Sequence, residues 1–399
     1  MTRLNILHLA SSIGRNSAGI GYSAVGLVRE QLSLGCGATI WTLDREPATE
    51  LAQENDLNAD SIMCFPSVGP AAIGFSPAME HASKKSVGHE FDLLHQHGIW
   101  MANSRVTNRW RRTWRRPTVL ALHGTLEAYA LRISRFKKRV ATLAYEAQNL
   151  CKATCLLACS SDEARSFRRY GLRQPIAVIP NGVSDSWLLS KADGEQFRRK
   201  FGIVRERRIL LFLSRLHPIK GLPLLFEAMA HLRSALGDWL LVIAGPDQVG
   251  HRQELEQLAH QLGITKWVRF VGPLIGGMKR EAFASAEVFV LPTHAENFGN
   301  VIGEALAVGL PVLTTHGAPW EVVIKERCGW WTDIQSSALL DALAQAIRLP
   351  AAELAAMGER GRRLMATHYT WRNAAEKTII LYHWVLGRGT QPDFILTDS

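Results

Sequence analysis

Short hydrophobic runs alternate with segments of helical periodicity along most of the chain. The first half contains seven runs that we predict to be strands: Leu4–Ala10, Ala38–Leu43, Ser61–Phe65, Phe91–His95, Thr118–Leu122, Thr154–Cys159 and Ile176–Ile179. Helical segments such as Tyr22–Leu34 and Ala128–Leu150 lie between them. Strands that are apolar throughout and alternate with helices are typical of a parallel sheet covered on both faces.

The alternation breaks at a polar, charged stretch around Ser184–Glu206 and then resumes. The second half contributes five more predicted strands: Ile209–Ser214, Leu240–Ala244, Val268–Val271, Val288–Leu291 and Pro311–Thr314. Helices between Ser336 and Gly387 finish the pattern. Two consecutive alternating halves predict two Rossmann-like, doubly wound α/β domains.

The same pattern sets the expected domain boundaries. We place an N-terminal domain at residues 1–188, a linker at 189–206 and a C-terminal domain at 207–370. Residues 371–399 are expected to form a helix that packs back toward the N-terminal domain, followed by a tail.

Composition and charge narrow the class of protein. The 399 residues are 47% hydrophobic and 21% charged, so a sizeable core can form and disorder is excluded. The formal net charge is +10. This excess favours an anionic partner, and phosphate, nucleic acid and a membrane surface all fit that description.

Cysteine usage and the start of the chain bear on its location. Six scattered cysteines do not form a disulfide framework, which favours a reducing compartment. The first hydrophobic run, Leu4–Ala10, is too short for a secretion signal. The sequence contains no apolar run of about 18 residues, the length that a membrane span needs. We therefore expect a cytoplasmic protein.

Two other groups of residues are expected to be structural. Cys151, Cys155 and Cys159 are four residues apart, which invites a metal-site interpretation. Zinc and iron–sulfur sites usually have more closely spaced pairs, so core packing is the favoured alternative. The tryptophans near the second-half loops, Trp320, Trp330 and Trp331, are likewise expected to be structural rather than sugar-stacking.

A loop and helix start after the run Val288–Leu291 carry the strongest chemical signal. Glu296 lies in the loop, and Glu304 lies about one turn into a helix predicted to begin near Asn300. The first amide groups of a helix bind anions, and helical side chains lean back toward the N-terminus. The arrangement suits a phosphate flanked by hydroxyl groups, although an ordinary helix start with two solvated glutamates has the same spacing.

A second loop, after Ile209–Ser214, holds two cations. Arg215 and Lys220 precede Gly221 and a helix with an apolar face. An arginine fork and a lysine point charge on one loop can hold a diphosphate. A solvated loop is the alternative for this segment taken alone.

These two loops, in this order and each after a strand, resemble glycosyltransferase family 4, a large family of retaining enzymes with the GT-B fold. The segments Asn181–Val183, Ala244–Pro246 and Phe270–Gly272 also resemble landmarks of that family. The resemblance covers nearly the whole chain and is strongest from Ile209 to Trp331. It implies two Rossmann-like domains with an interdomain cleft, and a sugar transfer from a nucleotide-sugar donor.

The resemblance also implies roles for residues of the second half. Arg215 and Lys220 would hold the diphosphate, Glu304 the ribose hydroxyls and Glu296 the hydroxyls of the donor sugar. The amides of the helix start would contact sugar and phosphate: Phe298, Gly299, Asn300 and Val301. The base would lie against backbone groups of a short segment: Gly272, Pro273 and Leu274.

The N-terminal half offers fewer signals. Gly19 and Gly21 permit close approach of a ligand before the first helix, although the dinucleotide fingerprint would need a glycine at Ala24. His123 follows a predicted strand, where a lone histidine is commonly structural. The resemblance implies instead that His123 faces the reacting sugar and that His97 contacts the acceptor.

The implied mechanism needs neither a metal nor a cofactor, and Asp-x-Asp is absent from the sequence. Cations and the helix start would stabilise the leaving diphosphate, and the acceptor would attack from the side that it leaves, with retention. The leaving phosphate would take the acceptor's proton. The residues predicted to be catalytic are Glu296, His123, Arg215 and Lys220. The donor base, UDP or GDP, is left open.

Basic residues of the N-terminal half raise the question of a membrane. If helical, the segment after Met101 carries one cationic stripe with two tryptophans beside it: Arg105, Arg109, Arg112, Arg116, Trp110 and Trp114. A second basic cluster surrounds Phe136: Arg135, Lys137, Lys138 and Arg139. Such faces suit an anionic bilayer, and a solvated basic surface is the alternative.

Three functions compete at this level. The leading hypothesis is transfer of a hexose-type sugar to a lipid-linked or glycan acceptor in cell-surface polysaccharide assembly (lipopolysaccharide or exopolysaccharide). It places the protein in the cytoplasm, peripherally on the inner membrane face. The second is a GT-B phosphorylase or synthase acting on soluble sugars. The third, nucleic-acid binding, leaves both glutamates and the cationic loop unexplained, and we expect no nucleic-acid partner.

Overall fold

The computed structural model describes residues 3–14, 18–44, 52–53, 56–190 and 192–397. The chain forms two compact units. The first comprises residues 1–182 and 371–399, and the second residues 183–370. The chain therefore enters the second unit before the predicted linker, residues 189–206. That segment belongs to the second unit and contains the helix Glu195–Lys200.

The first unit is built on an eight-stranded sheet, counted over the described residues, with the order β14-β7-β6-β5-β4-β1-β2-β3. Its strands are β1 Asn5–Ala10, β2 Gly37–Thr42, β3 Ile62–Cys64, β4 Leu93–His97, β5 Thr118–Ala121, β6 Cys155–Ala158, β7 Ile176–Val178 and β14 Ile395–Leu396. Neighbouring strands are parallel except for β14, which is antiparallel to β7. The strands are nearly all buried, as expected for a sheet covered on both faces.

Helices connect these strands. Their bounds are Ala18–Ser33, Pro77–Ala82, Ser86–His89, Asn103–Trp114, Ala128–Arg132, Arg135–Ala141, Ala147–Cys151, Ser161–Arg169 and Trp371–Val385, with a 3₁₀ turn at Ala59–Ser61. The predicted long helix Ala128–Leu150 is interrupted, because Ser134 has a left-handed backbone (φ 52°) and Thr142–Glu146 is a π-helical turn.

The chain returns to the first unit with the helix Trp371–Val385. Trp371 packs directly on Gly26, where an added Cβ would lie 2.4 Å from the indole ring. Only glycine at position 26 leaves room for this contact. Further along the helix, Tyr382 is fully buried beside β1 and β4 residues in the same core. Cys155 and Cys159 are buried in the first unit, whereas Cys151 is exposed.

The second unit has a six-stranded parallel sheet in its described part, with the order β10-β9-β8-β11-β12-β13. Its strands are β8 Arg208–Leu213, β9 Trp239–Ala244, β10 Val268–Gly272, β11 Val288–Leu291, β12 Val312–Thr315 and β13 Gly329–Thr332. The five predicted strands are all present within one or two residues, and β13 is an addition. Both units are doubly wound α/β structures, which confirms the predicted fold class.

The helices of the second unit cover this sheet. Their bounds are Asp185–Leu188, Glu195–Lys200, Leu222–His231, His251–Gln261, Gly276–Ala284, Asn300–Ala307, Val322–Lys325, Ser336–Arg348 and Ala351–His368, with 3₁₀ turns at Pro218–Lys220 and Thr265–Trp267. None of the described helices of either unit is both long and apolar enough to cross a membrane.

Candidate functional site

Two loops at the carboxyl edge of the second sheet are joined by their backbones. The 3₁₀ turn Pro218–Lys220 follows β8, and its Ile219 carbonyl accepts a hydrogen bond from the His294 amide after β11 (2.7 Å). Gly221 has φ 72°, and a Cβ there would lie 1.9 Å from the Pro292 carbonyl oxygen. Only glycine fits this contact, which holds the two loops at fixed distance.

This junction brings two predicted site residues together. Lys220 donates a hydrogen bond from Nζ to a carboxylate oxygen of Glu296. Both side chains are nearly buried, at 7% and 14% exposure. Opposite charges attract strongly where water is excluded, and the pair therefore fixes the position of both groups. The Glu296 amide also bonds to the Gly317 carbonyl (2.7 Å), which holds the loop from its other side.

Arg215 lies on the same loop as Lys220 but is exposed to solvent. Its Nη1 donates to the Gln248 side chain (2.8 Å). The cations of this loop act on His217, whose pKa is lowered by burial and further by the charges of Arg215, His251 and Lys220. The loop is thus a region of positive potential, as a diphosphate requires.

The helix Asn300–Ala307 begins where the sequence predicted it. Gly299 precedes it with φ 76°, a conformation that favours glycine. Trp320 is buried and donates from Nε1 to the Phe298 carbonyl (2.6 Å), so this tryptophan supports the helix start from below. A helix start directs its first amide groups outward, and Val301 lies in that first turn.

Glu304 has a partner that the sequence did not reveal. Nζ of Lys279 lies 2.6 Å from a carboxylate oxygen of Glu304, which is itself buried. Lys279 belongs to the helix Gly276–Ala284, just after the segment predicted to contact the base, and its amine lies 5.1 Å from the centre of the Trp187 ring. Lys279 and Glu304 lie on different helices, so their distance along the sequence gives no sign that they form a pair. The segment Gly272–Leu274 precedes this helix. Pro273 is exposed, its two neighbours are half-buried, and Gly272 has φ 78°.

Two predicted residues of the first unit, His97 and His123, are neighbours. Nδ1 of His97 lies 3.2 Å from Nε2 of His123, at the carboxyl ends of β4 and β5. Burial lowers the pKa of His123 to about 4 and that of His97 well below its usual value, so both rings are neutral. His97 is 2% exposed, and its Nε2 lies 3.0 Å from His8. Both ring nitrogens of His97 have a histidine partner, and its predicted contact with the acceptor stays a prediction.

His97 is one member of a buried histidine cluster that the sequence analysis missed. His8 and His95 surround it, and both are fully buried. The alternation His95, Gln96, His97 on one strand places both histidines on the same face of the sheet, and this was the available signal. His97 and His123 also line a cavity of about 20 Å³, room for about one water molecule.

The glycine loop predicted in the first unit is different in the structure. The helix begins at Ala18, so Gly19 and Gly21 lie inside its first turns rather than in a loop before it. Gly19 is exposed and Gly21 is buried. Residues 15–17 lie outside the described residues. The predicted loop is wrong because two glycines were taken as a loop signal, although the helix accommodates both. Their contact with the donor stays a prediction.

The first predicted membrane stripe is also wrong. The helix Asn103–Trp114 buries Trp110 completely, and its Nε1 donates to the Gly88 carbonyl (2.8 Å). Arg105 and Arg109 both bind the buried carboxylate of Glu80, at 2.7 and 3.0 Å. These two arginines compensate an internal charge, and Trp110 is not available to a membrane surface.

The second basic cluster is exposed and has an apolar stripe that the sequence analysis did not recognise. Five large apolar side chains are exposed along this segment: Tyr129, Ile133, Phe136, Val140 and Leu143. The last three follow the break at Ser134 at spacings of four and three. Phe136 and Leu143 are 78% and 89% exposed. Four exposed cations flank the stripe: Arg132, Arg135, Lys137 and Arg139. Lys138 is excluded from this set, since it turns inward to the Ala130 carbonyl.

Comparison with known proteins agrees with this architecture. The family model described as "Glycosyl transferase 4-like domain" matches residues 18–182, and "Glycosyl transferases group 1" matches residues 193–364. The D-inositol 3-phosphate glycosyltransferase of Geodermatophilus obscurus is 29% identical over 319 residues, which are 75% of this chain and 70% of that protein.

Solved structures share the fold at low sequence identity. Anabaena HepE in complex with UDP and glucose has a TM-score of 0.74 at 19% identity, covering 95% of this chain and 99% of that one. The sucrose-phosphate synthase of Thermosynechococcus elongatus has a TM-score of 0.74 at 19% identity, covering 96% of this chain and 100% of that one.

The two doubly wound units, the matching family models and the solved structures place the protein in the GT-B class of glycosyltransferases. The two family models together cover most of the chain. The chain belongs to glycosyltransferase family 4.

Proposed function

We propose that this glycosyltransferase moves a hexose-type sugar from a nucleoside diphosphate sugar to a lipid-linked or glycan acceptor in cell-surface polysaccharide assembly, with retention and without a metal ion. The observation that carries the choice of acceptor is the exposed apolar stripe from Tyr129 to Leu143 with its four flanking cations. Such a surface suits a protein whose acceptor is anchored in an anionic membrane.

The proposed donor chemistry rests on the cations of the second unit. Arg215 and Lys220 would neutralise the diphosphate as the bond between the anomeric carbon and the phosphate oxygen breaks. The start of the helix Asn300–Ala307 would add its amide groups. These charges are provided by the protein itself and are held in place before the reaction, which is the condition for electrostatic stabilisation of a leaving group.

Both glutamates would bind hydroxyl groups. Glu296 is held by Lys220, and Glu304 by Lys279, so each carboxylate is fixed beside a lysine amine. Lone pairs that these ion pairs leave over would accept hydrogen bonds from the donor sugar and from the ribose, respectively. In this assignment Lys279 orients Glu304 and does not itself contact the donor.

The transfer step balances without a protein nucleophile. The bond from the anomeric carbon to the phosphate oxygen breaks, and a bond from that carbon to the acceptor oxygen forms on the same face. The acceptor's hydroxyl proton passes to the leaving phosphate oxygen. We assign to His123, which is neutral, a hydrogen bond with the reacting sugar.

A soluble phosphorylated acceptor is the second candidate. It is favoured by the relative that acts on D-inositol 3-phosphate and by the sucrose-phosphate synthase that shares the fold. In that case the apolar stripe would have another role, because a soluble acceptor requires no membrane surface.

The deciding experiment supplies UDP-linked and GDP-linked hexoses with either a polyprenyl-linked sugar in anionic vesicles or a free sugar phosphate. We expect transfer to the vesicle-bound acceptor, an anomeric configuration retained by NMR, and unchanged activity in EDTA. Transfer only to the soluble acceptor would contradict the proposed substrate. Loss of activity in EDTA that Mn²⁺ or Mg²⁺ restores would contradict the metal-independent mechanism.

Variants test the site itself. We expect Arg215→Ala, Lys220→Ala, Glu296→Ala and Glu304→Ala each to lower turnover at least about tenfold, equivalent to about 1.4 kcal/mol of transition-state stabilisation. Exposed residues of the same unit, Glu353→Ala and Arg363→Ala, serve as matched charge controls and should leave turnover unchanged. Near-normal transfer by both glutamate variants of the site would refute the assignment.

A further inference from the structure

Three histidines of the first unit form a hydrogen-bonded row that ends at His123. Nε2 of His97 lies 3.0 Å from Nδ1 of His8, and Nδ1 of His97 lies 3.2 Å from Nε2 of His123. The ring centres are 5.3 and 5.5 Å apart, and the ring planes differ by only 22° and 15°. The ring centres are much farther apart than the facing nitrogen atoms, so neighbouring rings meet edge to edge. Each contact is therefore an in-line hydrogen bond.

Gln31 closes the far end of the row. Its Oε1 lies 2.8 Å from Nε2 of His8, and its Nε2 lies 3.2 Å from both the Thr378 hydroxyl and the Tyr382 hydroxyl. Thr378 donates its one hydroxyl proton to the Ala375 carbonyl (2.9 Å), so it can only accept from Gln31. The amide nitrogen of Gln31 must therefore face Thr378, and its oxygen must face His8.

The orientation of Gln31 then determines every proton in the row. An amide oxygen only accepts, so Nε2 of His8 carries the proton and Nδ1 of His8 is an acceptor. Consequently Nε2 of His97 carries a proton and its Nδ1 accepts, because the buried ring is neutral. Because Nδ1 of His97 accepts, Nε2 of His123 carries the proton that is donated to it. Nδ1 of the neutral His123 ring then keeps its lone pair.

We propose that Gln31, His8 and His97 are positioning residues that hold His123 in its Nε2–H tautomer, so that Nδ1 of His123 is presented as a hydrogen-bond acceptor for a hydroxyl group. The tautomer follows from the first unit alone. Its use rests on the proposed function, in which His123 meets the reacting sugar. No described residue provides a hydrogen bond to Nδ1 of His123, which leaves this atom for a ligand.

A metal site is the competing explanation of this cluster. One ring nitrogen each of His8, His95 and His97 lies within 4.8 Å of the others. A metal ion must lie in the plane of each ring that binds it. His95, however, stacks on His97 with ring centres 4.3 Å apart, and the facing nitrogens of His8 and His97 already point at each other. The observed rings do not converge on one point, so we argue for the relay and include the metal in its test.

NMR of the full chain, labelled with ¹⁵N-histidine and free of substrate, tests the relay directly. Two-bond ¹H–¹⁵N spectra distinguish the two neutral tautomers, and His8→Asn, His97→Asn and His123→Asn assign the signals. We expect His8, His97 and His123 each to be in a single Nε2–H form. A wild-type His123 in the Nδ1–H form, or in a mixture, would overturn the proposal.

Two substitutions of Gln31 provide the matched comparison. Gln31→Glu keeps an acceptor against His8 and should keep the tautomer of His123. Gln31→Leu removes the acceptor and should raise the Nδ1–H form of His123 to a population comparable with the other. If Gln31→Leu does not fold, His8→Phe interrupts the row one residue later and should have the same effect. An unchanged His123 tautomer in the folded interrupting variant would show that something else sets it.

Two further readouts separate this inference from the proposed function. Gln31→Leu should lower kcat several-fold with little change in KM for the donor, and Gln31→Glu should not. If the tautomer responds but transfer does not, the relay stands and the role assigned to His123 fails. One equivalent of Zn²⁺ should leave the histidine signals in place, whereas stoichiometric loss of the His8 and His97 signals would overturn the relay in favour of a metal site.

Discussion

Lys220 and Glu296 form one nearly buried ion pair although 76 positions separate them along the chain. The contact exists because the Ile219 carbonyl and the His294 amide join the two loops (2.7 Å). In this pair each side chain supports the other's position, so the pair has a structural role in addition to its proposed role in donor binding.

A double-mutant cycle separates these two roles. Lys220→Met and Glu296→Gln should each lower the free energy of unfolding by about 2–3 kcal/mol, because each leaves a nearly buried charge without its partner. The double variant should recover more than half of this loss, yet remain inactive in transfer. Urea unfolding and the transfer assay measure the two effects.

The exposed pair Arg252–Glu256 is the control, and Arg252→Met should change stability by less than about 0.5 kcal/mol. Additive losses in the double variant would show that the pair is not coupled.

Gly221 provides a test of the loop junction. Gly221→Ala should destabilise the protein by about 3 kcal/mol or more and should lower transfer, because its Cβ would collide with the Pro292 carbonyl. Gly202 has a similar backbone, with φ 59°, but nothing lies within 4 Å of an added Cβ. Gly202→Ala therefore reports the cost of the left-handed conformation alone, about 1–2 kcal/mol. Equal melting temperatures for the two variants would contradict the predicted clash.

The sequence located the strands well for a physical reason. A parallel strand covered on both faces is apolar along its whole length, and Val288–Leu291 was predicted with its observed bounds. The strand Gly329–Thr332 was missed, although its tryptophans were expected to be structural. Ile395–Leu396 is too short to give a pattern. The break at Ser134 has no glycine or proline to mark it.

The site was predictable only in part. Residues at strand ends, such as Arg215 and Glu296, follow from the rule that ligands bind at the carboxyl edge of such sheets. Partners from other elements do not: Lys279 reaches Glu304 through the packing of two helices. The prediction that Trp110 lies at a membrane surface failed for a related reason. A cationic stripe indicates which helix face is polar, but burial of Trp110 depends on the Gly88 carbonyl that its indole meets.

The buried histidines predict an acid-sensitive first unit. The pKa of His8 is lowered by burial to about 4, against 6.5 for an unperturbed histidine, and burial lowers the pKa values of His95 and His97 in the same direction. Between those pH values the unfolded chain binds more protons than the folded one. Stability therefore falls as the pH falls from about 6.5 toward 4, by up to about 1.4 kcal/mol per pH unit for each such histidine.

Urea midpoints measured from pH 7 to pH 5 check this expectation. His8→Gln should reduce the slope of stability against pH, whereas His81→Gln, at an exposed position of the same unit, should not. A wild-type midpoint that does not change over this range would mean that the cluster is protonated in the folded state or is not buried. The slope is compared rather than the absolute stability, because replacing His8 also removes its bond to Gln31.

Attachment to anionic membranes should depend on the apolar stripe and not on the helix Asn103–Trp114. Phe136→Ser with Leu143→Ser should abolish most co-sedimentation with vesicles rich in an anionic lipid, since these two side chains are the most exposed of the stripe.

Lys137→Gln with Arg139→Gln should weaken binding as well, because each cation near such a surface contributes about 1 kcal/mol. Controls in the same unit are Val68→Ser with Ile73→Ser, and Lys84→Gln with Lys85→Gln, which change exposed residues outside the stripe. Salt at 1 M, where the Debye length is about 3 Å, should remove the part due to charge and leave the apolar part. If the wild-type protein does not sediment with anionic vesicles at low salt, or if the stripe variant sediments as well as its controls, the stripe does not bind membranes and a soluble acceptor becomes the better assignment.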